Sequence, residues 1–339
     1  MLVLQEGTVT DTGPLAAEQQ LLVDVPGRGV RPATADTALL GRCEVGDSVI
    51  VNTQAADLAL GSGGFDVVHV NLTRGLGGEG VEGAHVMKLN YSSLQHAVLP
   101  VEDGNGELPD PRPVGVCLLH GQLAPFAWAV NEARQGTQLG YVQGGGGALP
   151  GGHSRTVIEL RDSGLLAGTI TAGACYGGEY EAITLAGAIA HGIGELGWEA
   201  AVVAPGPGII GSGSRLGHGG MAALDAAHTA LALGCPVVVT PRMSNGDARD
   251  RHNGASHHTQ TVLDLLLAPV TVAAPRGGGA EITRGCGHEI IEVDVGLASY
   301  GASGLPGTTM GRSIEDDPLF FGAALAGGAL LAVAIDAAP

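Results

Sequence analysis

Two kinds of apolar pattern follow one another along this chain. Up to about residue 72, short runs such as LVLQEGTV, QLLVDVP, DSVIVNT and FDVVHVNL are separated by Gly/Asp turns such as EVGD and LGSGGFD. Near-alternation of apolar and polar positions is the pattern of a strand with one buried face. Closing such strands into a small barrel leaves no exposed edge. From about residue 113 the pattern changes. Short, wholly apolar stretches (VGVCLLH, LGYVQ, AGTITAG, EAAVVAP, PVVVTP, VTVAAP, EIIEVDV) alternate with helical ones such as QLAPFAWAVNEAR and HGGMAALDAAHTALALG. Strands buried on both faces and alternating with helices predict a Rossmann-like α/β fold, a mainly parallel sheet with helices on both faces. The expected organisation is a small β-barrel over 1–72, a linker with a short ordered segment over 73–112, and an α/β domain over 113–339.

The longest apolar run, LFFGAALAGGALLAVAI, covers 319–335. It falls short of the roughly 20 residues of a membrane span, so it reads as a buried helix and no membrane partner is expected. The N-terminus shows no signal-peptide pattern. A formal charge of −18 repels phosphate backbones, so no nucleic-acid partner is expected either. The five cysteines are scattered, odd in number and without a CxxC pair. That fits a reducing cytoplasm. The 58 glycines have no collagen-like period and concentrate in loops.

In an open parallel sheet, ligands bind beyond the carboxyl ends of the strands. Four segments at predicted strand ends carry candidate chemistry. His120 follows the first strand of the α/β region and is placed for acid–base work. In ACYGGEYEA a helix is expected to begin near Glu179. Glu179 would then be a base or metal ligand, or simply a carboxylate favoured by the helix dipole. The loop APGPGIIGSGSRLGHGG contains Gly206, Gly208, Gly211 and Gly213, a literal GxGxxG continued by one more glycine. A dinucleotide site needs the helix to open inside that motif and an acid about 20 residues on. Here several loop residues, SGSRLG, follow the motif before helical periodicity begins, and the next strand ends in Thr240-Pro241-Arg242 rather than in an acid, so the loop is an anion cradle or a tight structural turn.

The fourth segment, RMSNGDARDRHNGASHHTQTVL, begins at Arg242 and concentrates charge that the rest of the chain lacks. Ser256 is a good N-cap for a helix starting at His257. The positive end of that helix disfavours protonation of His257 and His258. Neutral imidazole is the form that binds metals and accepts protons. Adjacent helical residues diverge by about 100°, so at most one of the pair is expected to face a site squarely. Arg242, Arg249 and Arg251 suit carboxylate or phosphate recognition. Asp247, His252 and His258 form the candidate set for a divalent metal, although no known zinc spacing is present. Lys88, the only lysine, is a further candidate ligand contact.

TAGACYGGEYEAIT, the 206–220 loop and the Arg251-His252…Gly254…Ser256-His257-His258-Thr259 run together resemble an uncharacterised bacterial family, the domain-of-unknown-function group numbered 3866. The resemblance extends to VGDSVIVNT and HVMKLNY. It implies a cytosolic bacterial protein and no particular activity. The reading that follows from the residues is an enzyme, a hydrolase or transferase rather than an oxidoreductase, acting on a small anionic or phosphorylated metabolite. The cofactor is unknown, with a divalent metal one option, and a homo-oligomer is expected. The alternatives are a non-enzymatic ligand-sensing or interaction module and a metal-binding structural dimer.

Overall fold

The computed structural model describes residues 1–59, 64–103, 108–282 and 287–338. It divides into two compact units, Met1–Leu99 and Pro100–Pro339. In the first unit, β1 (Leu4–Thr12), β2 (Glu18–Val25), β3 (Gly29–Asp36), β4 (Ser48–Asn52) and β5 (Asp66–Asn71) close a barrel in the order β1-β2-β3-β5-β4. Short helical turns, α1 (Thr37–Leu40) and α2 (Gln54–Asp57), fill two of the connections. Along β2, Gln19, Leu21, Val23 and Val25 point inward and the residues between them are exposed or half-buried. That period of two pins the register, since a one-residue slip would turn the whole set outward. Within the stretch read as a linker, β6 (Val86–Lys88) and β7 (His96–Val98) pair as an antiparallel hairpin.

The second unit holds eight parallel strands in the order β11-β10-β9-β12-β8-β13-β16-β17. They are β8 (Val114–Cys117), β9 (Leu139–Gly144), β10 (Gly168–Ala172), β11 (Tyr180–Ala182), β12 (Ala200–Pro205), β13 (Val237–Thr240), β16 (Thr271–Pro275) and β17 (Glu289–Val293). A two-residue pair, β14 (Met243–Ser244) with β15 (Gly254–Ala255), lies between β13 and the next helix. Helices α5 (Leu185–Gly194), α6 (Ala222–Ala232) and α7 (His257–Leu265) pack on one face with Val114, Val116, Ala201, Val203, Val237 and Val239. Helices α3 (Leu123–Ala133), α4 (Arg155–Asp162) and, after the short α8 (Leu297–Gly301), α9 (Pro318–Ala337) pack on the other with Ala200, Val202, Ala204 and Val238. Successive residues of one strand thus serve opposite cores, which is why these strands are apolar throughout. Gly115 makes room for a ring: a Cβ there would lie 2.4 Å from Cζ of Phe126 on α3.

Among the described residues α9 is the one helix long and apolar enough to cross a membrane, and it is mostly buried inside the protein. One expectation fails here. Residues near Glu179 do not open a helix. They form the edge strand β11, and α5 starts later, capped by the Thr184 hydroxyl accepting from Gly187 N.

Candidate functional site

After β13 the chain leaves the sheet at Arg242, runs through β14, returns through β15 and enters α7. Thr259 ties the two ends of this excursion. Its hydroxyl accepts from Arg242 N at 2.8 Å and donates to Arg242 O at 2.9 Å. Ser256 N also donates to Arg242 O. The Ser256 side chain caps α7, accepting from His258 N at 3.2 Å, and pairs with His252 Nδ1 at 2.7 Å. The cap expected from the sequence therefore does two tasks: it starts the helix and orients a histidine.

The charged side chains divide by role. Asp247 is buried and accepts from Arg249 Nε and Nη2, at 2.8 and 2.7 Å, and from Arg242 Nη2 at 3.3 Å. Arg312 Nη2 approaches it at 3.7 Å. The Arg249 hydrogen bonds hold the Asp247 carboxyl well below its ordinary range, against the opposing effect of burial. Asp317 accepts from Ser244 Oγ, Asn245 N and Arg312 Nε and so fastens the excursion to the start of α9. Arg251 is exposed.

Beside this network four imidazoles form one cluster. His218, at the mouth of α6, stacks on His258 with ring centroids 3.7 Å apart and planes 12° from parallel. His257 lies 4.4 Å from His258 and 5.5 Å from His218, and His252 lies 5.0 Å from His257. Both His257 and His258 join the cluster. They occupy the first turn of α7, where partners from three other segments surround both directions, so the expectation that only one would face the site does not hold. Burial, then the neighbouring His218 and Arg242, push His258 down to about 2. Burial, then Arg242 and Arg249, push His252 down to about 3. Burial lowers His218 and His257 as well, aided by His257 in the first case and by Arg251 in the second. The imidazoles are neutral at pH 7, as the sequence suggested, but burial and arginines account for it ahead of any helix dipole.

Arg242 decides one tautomer. Its Nη1 lies 3.1 Å from His258 Nδ1, and a guanidinium only donates. His258 Nδ1 is therefore the acceptor, and the proton of the neutral ring sits on Nε2. Burial lowers Arg242 to about 10, so it remains a cation at neutral pH. Its Nε has no hydrogen-bond partner, nor do the two ring nitrogens of His218 or Nε2 of His257, among the described residues. Four buried polar atoms without partners in one cluster mark a place shaped for something that hydrogen-bonds.

Ligand atoms of His218, His257 and His258 all lie within 4.8 Å of one another, a spacing that a metal ion could bridge. The geometry opposes it. An ion shared between two nearly parallel rings whose centroids are 3.7 Å apart would lie between the ring planes, well out of each, whereas the nitrogen lone pairs point along them. Arg242 already holds Nδ1 of His258. The charges acting on the imidazoles are Arg242, Arg249 and Arg251 against Asp247 alone. A cation is repelled there and an anion is favoured. The metal set expected from the sequence also fails at Asp247, whose oxygens are engaged by three arginines.

Other sequence candidates lie elsewhere. Glu179 pairs with Arg161 and accepts from Thr169 N, beside the first residues of β10 and hence at the end of the sheet opposite the cluster. His120 has both nitrogens committed. Nδ1 donates to Pro205 O at 3.1 Å, which leaves Nε2 to accept from Ser154 Oγ at 2.7 Å. Burial lowers it to about 4. It is a strut between strand ends. Lys88 is buried in β6, in the first unit. Gly206 is needed for close packing, since a Cβ would lie 2.2 Å from Ala148 O. Gly208 has φ +69°, and Gly211 bridges His218 in an antiparallel turn. Gly213 meets nothing within 4 Å. The loop is thus a folded hairpin that delivers His218 to the cluster, not a dinucleotide cradle.

Sequence reasoning missed His218, Ser244, Arg312 and Asp317. The first had a usable signal, a histidine among glycines immediately before a helix. For the others the local pairs Arg312–Asp317 and Ser244–Asp247 are ordinary surface-loop combinations, and the contacts that join them to the site, Ser244 with Asp317 and Arg312 with Asp247, span more than sixty residues.

A family model described as a protein of unknown function (DUF3866) matches residues 32–328, and the chain belongs to that family. No curated protein and no solved structure matches the chain.

Proposed function

We propose that this member of the DUF3866 family is an enzyme, a hydrolase or transferase, whose substrate is a small anionic metabolite held by the imidazole cluster and Arg242. One observation carries the reading: four buried nitrogens of Arg242, His218 and His257 lack partners inside a field that arginines make positive. Arg242 Nε and the Nε2–H of His258 are donors for an anionic oxygen. His257, half-buried and with Nε2 unpaired, is the group best placed to accept or return a proton. Asp247 and Asp317 hold the arginines in place. A redox role draws no support from the 206–213 loop.

We also propose a reducing cytoplasm as its location, a reading supported by four described cysteines that are buried and outside any disulfide. Its bacterial origin rests on the family resemblance alone, and a homo-oligomer is an expectation that light scattering tests. Titration with inorganic phosphate tests the anion site. Wild-type protein is expected to bind it, and His257→Ala at least 10-fold more weakly. Turnover of phosphate monoesters that disappears in His257→Ala supports the enzyme. An absence of phosphate binding by the wild type sinks the anion reading, and binding without turnover across ester and acyl-phosphate panels favours a sensing module.

A further inference from the structure

A second space adjoins the cluster. Where β8, β9 and β12 end, a cavity of about 270 Å³ opens beneath the start of α6. Its walls are mainly aliphatic and backbone surface, among them Gly145, Leu185, Val203, Met221 and Ala222, and His218 reaches it from the imidazole cluster. His218 is 6% exposed, and neither of its ring nitrogens makes a well-formed hydrogen bond among the described residues, although the backbone of Arg215 acts on the ring. A buried unpaired imidazole on an apolar wall costs free energy unless something polar meets it there.

The glycines of this wall supply a second, independent argument. Gly146 and Gly147 are required by the fold, since a Cβ on either would strike the backbone of Gly219 or Gly206 at 2.4 or 2.1 Å. Gly144 already abuts Leu185. Gly145 is different. It has no positive φ, and a Cβ there would meet nothing within 4 Å. Nothing within the protein demands a glycine at that position, but a side chain there would take up the space along the cavity wall. Bare backbone beside a cavity is the usual arrangement where a ligand approaches the main chain closely.

We propose that this cavity is the binding site for the uncharged part of the substrate, a single compact ring bearing a polar atom that hydrogen-bonds to His218. Size sets the class. An apolar cavity of about 150 Å³ holds benzene, and pockets for drug-sized ligands run from about 300 to 1,000 Å³. The volume here suits one substituted ring and excludes a dinucleotide. The walls carry no arginine or lysine, and their one charged side chain is the Asp225 carboxylate, which repels an anion, so the charged part belongs on the far side of His218, with Arg242. His218 is the shared element, stacked on His258 and lining the cavity. The substrate class is then a monocyclic organic anion. The assignment of its charged end rests on the anion reading above, whereas the ring site stands on the cavity itself.

Three probes separate the two: phenol, inorganic phosphate and phenyl phosphate, each titrated into the full chain while the imidazole ¹⁵N resonances are followed. Phenol is expected to bind the wild type and to shift the His218 nitrogens, with phenyl phosphate binding at least 10-fold more tightly than phosphate. Gly145→Leu is expected to abolish phenol binding and bring phenyl phosphate down to the level of phosphate, which it leaves unchanged. Ala222→Leu, from the helix side of the cavity, is expected to do the same. Failure of the wild type to bind phenol overturns the ring site without recourse to any variant. Equal phenol binding by wild type and both variants overturns it too. Phenol binding without phosphate binding leaves the ring site standing and removes the anion reading.

Discussion

The barrel and the imidazole cluster both bury polar side chains, and they do so differently. In the barrel, Asp47 accepts from Asn71 Nδ2, Glu44 N and Arg74 Nε, all at 2.9 Å. The Asn71 oxygen accepts from Thr73 N and Arg74 N. Gln19 spends both ends of its amide on the backbone of Cys43. No described residue of 1–99 has a buried side-chain nitrogen or oxygen without a partner, whereas the cluster has four such atoms. A closed network is complete as folded and its purpose is the fold. An open one leaves free energy to be recovered on binding. The contrast sets a closed network against an open one without any appeal to residue type, since arginines and aspartates serve in both.

The largest expected effect lies on the closed side. Asp47→Ala strips the acceptor from Asn71, Arg74 and the Glu44 amide at once and is expected to cost the barrel about 2–4 kcal/mol, measured by chemical denaturation. His257→Ala removes a ring whose Nε2 has no partner. It is expected to change stability by less than about 1 kcal/mol while weakening phosphate binding at least 10-fold, which is about 1.4 kcal/mol. Equal stability losses in the two variants would erase the distinction between the networks.

Acid separates them next. The histidines of the unfolded chain titrate near 6.5. In the folded protein His252 and His258 are held down at about 3 and about 2, mainly by burial. Below pH 6.5 the unfolded chain therefore binds more protons than the folded one, so the second unit loses stability as pH falls from about 6.5 toward 3. The barrel follows another window. For Asp47, burial acts upward, but its hydrogen bonds with Asn71, Glu44 N and Arg74 leave the carboxyl below its ordinary value. Its contribution is intact above about pH 4 and lost only below that. Both tryptophans, Trp128 and Trp198, lie in the second unit, so their fluorescence follows that unit alone. Its unfolding midpoint is expected to drop between pH 6.5 and 5, and His252→Gln to remove up to one proton from that slope. A midpoint flat down to pH 4 would contradict the buried neutral state of the cluster.

How much of this could be read beforehand follows from range. The barrel strands and the apolar strands of the sheet were legible because a side-chain period of two is local. Ser256 as a helix cap was legible for the same reason, as was the concentration of arginine and histidine after β13. The helix expected at Glu179 was not there, because EYEA lies alongside Gly168–Ala172 and pairs with it as an edge strand. The paired residues are only ten positions apart, Ile170 with Tyr180, but a three-residue strand is too short to show a period. The two partners of His120, the end of β12 at Pro205 and the α4 cap Ser154, are not legible from its own surroundings in the sequence. The hairpin inside the stretch read as a linker was not legible, because each of its strands, β6 and β7, has only three residues and shows no period.

The smallest effect in energy tests the finest point. The Arg242 guanidinium offers only hydrogens to His258 Nδ1, so the Nε2–H tautomer is imposed by a neighbour rather than chosen by the ring. In ¹⁵N-histidine-labelled protein, His258 is expected to show the Nε2–H pattern without titrating between pH 8 and 5. Arg242→Met keeps bulk and removes the donor. The expected result is a mixture of tautomers at His258 and weaker phosphate binding. The thiol of Cys43, the nearest counterpart in the barrel, receives Asn71 Nδ2 at 3.4 Å and has no orphaned atom beside it, so a change at Asn71 should register in stability alone. An unaltered His258 spectrum in Arg242→Met would mean that the ring sets its own tautomer, and the Arg242 guanidinium would then be left with its contact to Asp247 and the proposed anion.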